Sequence, residues 1–310
     1  MGKIISIFGP TGLGKSSLAI ELAKKINGEI IGVDSRQVYK GIPIGTAQPN
    51  SSQLNEVPHH LIGFKNLNEK ISAGEYMKLI DKKIDQILLK NKSAILCGGT
   101  GLYFKTLKEG IFEGSHTNEE IRTRLEKEYD DDKQAIFEKL QKIDSNYSKI
   151  VHINNKKRLV RALEIYQITG ETPSKNFKNQ YKEKTNKLNL FTVFLTIEKE
   201  PHINNIKKRT IKMLDSGWID EVKTLINLKN EMDLDFPALD SIGYKQMIDY
   251  LNGSINKDAL IETVVSKTWQ YAKKQNKWFK KENIDLTVDM TNLDTIRISN
   301  CIYDIYKSFN

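Results

Sequence analysis

The chain has little cysteine. Of its 310 residues only Cys97 and Cys301 are cysteines, and they stand far apart in no metal-ligand spacing, so neither a disulfide framework nor a cysteine-built zinc site has a basis. No apolar run approaches the roughly 18 to 20 residues that a membrane span requires. A secretory leader is also missing: Met1 to Phe8 is short and apolar and runs straight into a glycine loop, which reads as a first core strand. There is no internal repeat and no low-complexity tail. These absences predict a reduced, cytoplasmic protein with no membrane association, and nothing demands a dimer, so a monomer is expected. The rest is ordinary for a globular chain, 39% hydrophobic and 28% charged, and long enough for a core domain plus an insertion.

Charge is unevenly placed. The net charge is +9, yet residues 139–187 alone hold twelve Lys or Arg against four Asp or Glu, a local +8. Residues 267–281 hold six lysines and no acid. Clustered positive charge points to a polyanion partner, because neutralising phosphates releases condensed counterions. A lysine-rich solvated surface would give the same count, since charge speaks to association and not to fold.

Periodicity organises the chain. Lys3 to Phe8 is a β-branched apolar run, followed by Gly9-Pro10-Thr11-Gly12-Leu13-Gly14-Lys15-Ser16 and then by Leu18, Leu22 and Ile26 at helical spacing. Glu29 to Val33 reads as a second strand ending at Asp34, and Tyr76 to Leu89 as an amphipathic helix. Ser93 to Cys97 reads as a third strand ending in Gly98-Gly99-Thr100-Gly101. This alternation implies a parallel α/β sheet. After about residue 112 the strand pattern stops, and residues 119–169 read as helices. Residues 170–189 are polar and basic, with Gly170 and Pro173 as breakers. Leu190 to Ile197 is again a strand candidate, followed by helices near 201–216, 218–229, 243–251 and 258–282, a short strand over Asp285 to Met290 and a terminal helix. The expected fold is α/β: a P-loop NTPase-like parallel sheet core from residues 1–112 and 189–310, with a basic helical insertion domain over 113–188.

The pattern Gly9-x4-Gly14-Lys15-Ser16 is a complete P-loop in the strand-to-helix context that the motif demands. Glycines let backbone amides turn inward, and the helix N-terminus adds positive potential, so Gly9, Pro10, Thr11, Gly12, Leu13, Gly14, Lys15 and Ser16 form a phosphate cradle. Lys15 supplies a mobile point charge, and the Ser16 hydroxyl suits Mg²⁺. A nucleoside triphosphate is the default ligand. An NTPase, however, also needs an acid at a strand end to hold magnesium. Asp34 occupies such an end but opens Asp34-Ser35-Arg36-Gln37-Val38-Tyr39, and the third strand ends without an acid. Three strand ends bring one phosphate cradle, one carboxylate and one hydroxyl to a crevice, which suits a diphosphate leaving group beside a single proton acceptor.

At these residues the chain resembles the tRNA dimethylallyltransferase (tRNA isopentenyltransferase) family. The matching stretches are GPTGLGKSSLAIELA at 9–23, VDSRQVYKGIPIGTAQP at 33–49, VPHHL at 57–61, CGGTGLYFKTLKEG at 97–110, RLVRALEIYQITG at 158–170, SIGYKQMIDYL at 241–251 and QYAKKQNKWF at 270–279. They run in family order over nearly the whole length. The resemblance implies a P-loop that takes the diphosphate of dimethylallyl diphosphate and ignores ATP, with Mg²⁺ as cofactor. It implies transfer of the five-carbon group to N6 of the adenosine beside the anticodon, position 37, in tRNAs reading codons that begin with U. Asp34 matches the family's general base, a sensible role because an exocyclic amine becomes acidic as it attacks. Thr100 matches a residue at the flipped adenine, and Arg209 an arginine aimed at the diphosphate, where a planar fork grips phosphate. Ser35, Arg36 and Gln37 fall in the stretch that meets tRNA. Arg122, Arg158 and Arg161 match insertion positions that hold the anticodon stem-loop, and Gly243 and Tyr244 a loop near the RNA, where Tyr244 either stacks or is core.

Departures from the family pattern are Gln48 in place of lysine, Asn205 and Trp269 in place of arginine, and Glu113 to Thr117 where a proline-containing segment is common. Three other readings stay open at this point. An adenylate isopentenyltransferase shares the P-loop and the aspartate but has little use for a basic helical insertion. A small-molecule kinase has no place for Gly98-Gly99-Thr100-Gly101. A P-loop protein that only binds nucleic acid has no need of both Asp34 and Lys15.

Overall fold

A computed structural model describes residues 3–110, 117–180, 188–234, 236–291 and 294–309. From the N-terminus, β1 (Ile4–Phe8), α1 (Lys15–Lys25), β2 (Gly28–Val33), α2 (Ser51–Glu56), β3 (His59–His60), α3 (Ala73–Leu88), β4 (Ser93–Gly98) and α4 (Gly101–Glu109) follow in turn. The middle of the chain is helical: α5 (Glu119–Asp131), α6 (Lys133–Ile143), α7 (Ser145–Ser148), α8 (Lys156–Thr169) and α9 (Pro173–Gln180). The remainder comprises β5 (Leu190–Thr196), α10 (Lys199–Asp215), α11 (Trp218–Met232), α12 (Tyr244–Leu251), α13 (Lys257–Phe279), β6 (Leu286–Asp289) and α14 (Thr295–Ser308).

The strands form one sheet in the order β3-β2-β4-β1-β5-β6, and every neighbouring pair is parallel. Parallel strands covered on both faces read as continuous apolar runs, and β1 is buried at all five positions. On one face Ile5, Ile7, Ile95 and Val193 pack against Leu18 and Leu22 of α1 and Ile298 and Ile302 of α14. Phe8 points to the other face, where its ring meets Phe104 of α4 at 4.6 Å and Phe279 of α13 at 5.8 Å. The register decides where the site lies. Gly98 pairs with both Phe8 and Val33, so β1, β2 and β4 end level with one another. A side chain at Gly98 would overlap the Val33 carbonyl, which is why the close of β4 needs glycine.

The chain forms two compact units, one from residues 1–104 with 188–310, the other from Lys105–Lys187. The second unit has its own core of Leu125, Ile136, Leu140, Val151, Leu159 and Leu163. Two features depart from the sequence expectation. The breakers Gly170 and Pro173 punctuate two helices instead of ending helical structure: Gly170 caps α8 in the left-handed conformation (φ 70°), and Pro173 opens α9, where its missing N–H costs nothing. The short α2 and the two-residue β3 were not anticipated; α2 is set by a capping box in which Asn50 and Gln53 exchange side-chain and backbone bonds.

Candidate active site at the strand ends

The P-loop leaves β1 at Phe8 and enters α1 through Gly14, whose left-handed conformation (φ 76°, ψ 20°) suits glycine and offers no side-chain cap to the helix. The first amides of α1 are therefore left for an anion. The Lys15 ammonium donates to the Pro10 carbonyl at 2.7 Å, and the Arg209 guanidinium, carried by α10, donates to the Thr11 hydroxyl at 3.0 Å. Both of these bonds go to neutral oxygens. Burial lowers the Lys15 pKa to about 8; Arg209 also lowers it, while the Cys97 thiol and Asp34 act the other way. Burial likewise lowers the Arg209 pKa against the pull of Asp34. Each cation thus carries a solvation deficit that an incoming phosphate would relieve. Cys97 lies beside them, but burial pushes its pKa to about 11, so it stays a thiol and is no nucleophile at neutral pH.

Asp34 leaves the end of β2 in a tight turn. Its Oδ1 accepts from the backbone N–H of Arg36 at 2.7 Å and of Gln37 at 3.3 Å, which orients the carboxylate and leaves Oδ2 without a hydrogen bond among the described residues. The Thr100 hydroxyl, just beyond β4, accepts from the Ser35 N–H at 3.3 Å, so the acid-bearing turn and the glycine loop are tied together. The Arg36 guanidinium donates to the Pro237 carbonyl at 2.9 Å. The Gln37 amide donates to Thr46 and Ala47 carbonyls at 3.1 and 2.8 Å. Tyr103 is buried close by. Burial, then the negative charge of Asp34, raises its hydroxyl pKa to about 12. Tyr271 is raised to about 12 by the same two causes, although part of its ring is exposed. Both phenols therefore stay protonated beside the carboxylate.

Two residues that the sequence reading passed over hold this arrangement. His202 is fully buried on α10 and its Nε2 bonds the Thr11 carbonyl at 2.8 Å. Burial lowers its pKa, the Thr11 bond raises it and Lys15 lowers it, so the ring is neutral and Nε2 carries the proton. Gln275 on α13 touches both loops, accepting from the Thr11 N–H at 3.1 Å and donating to the Gly99 carbonyl at 2.8 Å. Gln275 lies in the matching stretch 270–279 and His202 in none, but neither a Gln among lysines nor a lone His in a helix shows its partner until the chain folds.

Tyr244 is placed as core. Its side chain is fully buried, edge-on to Trp218, and its hydroxyl donates to Glu221 Oε1 at 2.7 Å. Glu221 also takes the Ile44 and Gly45 N–H groups at 2.7 and 2.9 Å. A ring enclosed in this way has no face left for a base, which decides between stacking and core for this residue. At Gly243 (φ 94°) a side chain would run into the Trp218 ring. Within the helical unit, Glu164 is fully buried and accepts from Arg122 Nη2 and Arg161 Nη1, each at 2.8 Å, and from the Asn118 N–H at 3.0 Å. Burial alone would raise the Glu164 pKa, but the bonds from Arg161 and Arg122 overcome it and hold the carboxyl below its ordinary value. Arg158 is exposed on α8.

Of the departures, Gln48 donates to the Gln37 and Tyr39 carbonyls at 3.2 and 2.8 Å, serving as a loop clasp where a lysine would present charge. Asn205 is exposed on α10. Trp269 packs against His202 with ring centres 5.2 Å apart. Most of the Glu113 to Thr117 segment lies outside the described residues. Among the described residues no group of three His, Cys, Asp or Glu side chains could hold a metal, and no helix is long and apolar enough to cross a membrane.

The family model described as IPP transferase matches residues 37–282. The chain belongs to the IPP transferase family. It is 37% identical to the tRNA dimethylallyltransferase of Halothermothrix orenii over 94% of this chain and 88% of that protein. It is 36% identical to the Anoxybacillus flavithermus tRNA dimethylallyltransferase over 99% and 97%. Among solved structures it is similar to the tRNA isopentenylpyrophosphate transferase of Bacillus halodurans, with a TM-score of 0.70, 34% identity, and coverage of 99% of this chain and 98% of that one. A eukaryotic dimethylallyltransferase captured acting on tRNA is similar at a TM-score of 0.84 and 29% identity, over 100% of this chain and 81% of that one. The family match starts at Gln37 and takes in Thr100 and Arg209, while the P-loop and Asp34 precede it and are covered by the near full-length relatives. The α/β sheet with a P-loop is thus the family's fold, and the chain is a prenyltransferase of the tRNA-modifying kind.

Proposed function

We propose that the chain transfers the dimethylallyl group of dimethylallyl diphosphate to N6 of adenosine 37, beside the anticodon, in tRNAs reading codons that begin with U. The observation that carries this reading is the level ending of β1, β2 and β4, which sets a cradle of amides and two cations beside a carboxylate with one uncommitted oxygen. N6 attacks C1 of the prenyl group, the C1–O bond breaks, and its electron pair leaves on the diphosphate. Lys15 and Arg209 meet the charge that develops there, where donors fixed in advance are worth most. Asp34 takes the N6 proton as the amine becomes acidic, and Thr100 positions the adenine. The adenine has to leave its stack to reach this crevice, which gives Ser35, Arg36 and Gln37 a role at the flanking nucleotides.

Mg²⁺ fits the donor set in one way. The chain offers the Ser16 hydroxyl and no carboxylate cluster, which suits an ion that keeps waters and is shared with the substrate's phosphates. When bound, it would neutralise charge on the leaving diphosphate. The basic helical unit would hold the anticodon stem-loop, with Arg158 its exposed contact and with Arg122 and Arg161, both held by Glu164, as further contacts. A monomeric, cytoplasmic enzyme that does not turn over ATP completes the reading. The test is radiolabel transfer from dimethylallyl diphosphate to unmodified tRNA, run beside free adenylate and beside ATP hydrolysis. Label in tRNA alone supports the proposal. Label in adenylate, or ATP turnover with no transfer, contradicts it.

A further inference from the structure

We propose that Gln275 is a positioning residue that sets the separation between the diphosphate loop and the acceptor loop, and so the distance over which the prenyl group is passed; this rests on the prenyl-transfer reading of the site. Gln275 is 8% exposed, near the end of the 23-residue helix α13. Its single amide bridges residues 264 positions away on one side and 176 on the other. Thr11 belongs to the phosphate cradle, and Gly99 precedes Thr100, whose hydroxyl holds the turn that carries Asp34. One side chain therefore runs from the leaving-group loop to the proton-acceptor loop.

The chemistry of the two partners forces this side chain's orientation. A backbone N–H only donates and a carbonyl only accepts, so Thr11 must face the amide oxygen and Gly99 the amide nitrogen. Glutamine offers one acceptor and one donor with no charge. Glutamate could serve Thr11 but would set an oxygen against the Gly99 carbonyl. Asparagine has both groups but is one methylene short of bridging the loops. The space is equally specified: a Cβ at Gly99 would come within 2.7 Å of the Gln275 nitrogen and 3.2 Å of the Gly9 carbonyl.

Thr11 is also pinned from α10. His202 bonds its carbonyl and Arg209 its hydroxyl, so all three polar groups of Thr11 are held by side chains of α10 and α13. The cradle is thus built with its third residue fixed, and the amides left for phosphate begin at Gly12. Gln275 alone of the three also reaches the acceptor loop. A misplacement of about 1 Å between reacting groups can cost about 10² in rate. The step that should feel the loss of this bridge is chemistry, not binding of either substrate.

The experiment compares wild type with Gln275→Met, similar in volume and without the amide, and Gln275→Asn, which keeps the polarity and loses the reach. Single-turnover prenyl transfer with both substrates saturating is measured beside the Kd of each substrate and the melting midpoint. The expected result is a fall of about 10- to 100-fold in the single-turnover rate for Met and about tenfold for Asn, with both Kd values within about threefold of wild type. Should the Met variant fail to fold, the Asn variant carries the test. An unchanged rate in a folded variant, or a loss wholly explained by weaker dimethylallyl diphosphate binding, would overturn the proposal. If wild type itself passes no prenyl group to tRNA, the functional reading fails instead, and the two failures are told apart by that control.

Discussion

Two pairs of cations in this molecule are handled in opposite ways. In the core, Lys15 and Arg209 bond neutral oxygens, and burial lowers the pKa of both. In the helical unit, Arg122 and Arg161 share one fully buried carboxylate, Glu164. The first pair is poised for an anion. The second is already half neutralised, and it ties α5 to α8. Other charges of that unit are paired too: Lys139 with Glu128, Lys156 with Asp130 and Lys175 with Glu171. The +8 counted over residues 139–187 is already net of Glu164 and Glu171, but Lys139 and Lys156 are matched by Glu128 and Asp130 outside that window, so it still overstates the charge on offer to a polyanion.

The largest expected effect is at the core pair. Lys15→Ala should lower kcat/KM by about 10² to 10³, the usual loss on removing one preorganised donor to a developing anion. Steady-state transfer measures it, and a loss under threefold would break the contrast. Glu164→Gln should act on stability: about 1 to 3 kcal/mol by urea denaturation, less than the 3 to 5 kcal/mol typical of fully buried pairs, because Arg122 and Arg161 keep 30% and 26% exposure. Dimethylallyl diphosphate affinity should not move.

Arg158→Ala sharpens the comparison on the RNA side. It should raise the KM for tRNA about tenfold and flatten the salt slope of binding by about 0.7 to 0.9, the value of one phosphate contact. Arg161→Ala would mix that effect with the loss of a Glu164 partner, so Arg158 is the cleaner probe. The smallest effect is in pH. Free Lys15 loses its proton near 8, and dimethylallyl diphosphate binds the charged form, so affinity should weaken above pH 8 by at most about tenfold per unit. Titration calorimetry from pH 7 to 9 checks the sign, and Lys15→Ala should abolish the slope.

Local signals explain what was legible. The P-loop, the three strand ends and the acid at one of them are short-range patterns, and parallel strands with level ends bring them together. Asp34, Thr100 and Lys15 could be named because each sits inside a motif. Gln275 and His202 could not, since their bonds to Thr11 span 264 and 191 positions. Glu164 is three residues from Arg161 but 42 from Arg122, so its double pairing was hidden by half. Tyr244 was left open between base stacking and core, because an aromatic beside glycine looks the same either way. Its burial against Trp218 and its bond to Glu221 settle the choice by packing alone.

The proposed proton acceptor is the decisive element, because Asp34 keeps one carboxylate oxygen unused among the described residues and its charge acts on both Lys15 and Arg209. Single-turnover prenyl transfer by Asp34→Ala, with bound tRNA and with dimethylallyl diphosphate affinity measured in parallel, tests it most directly. The account predicts diphosphate binding close to wild type and a turnover lower by about 10² to 10⁴. Turnover near wild type would contradict it.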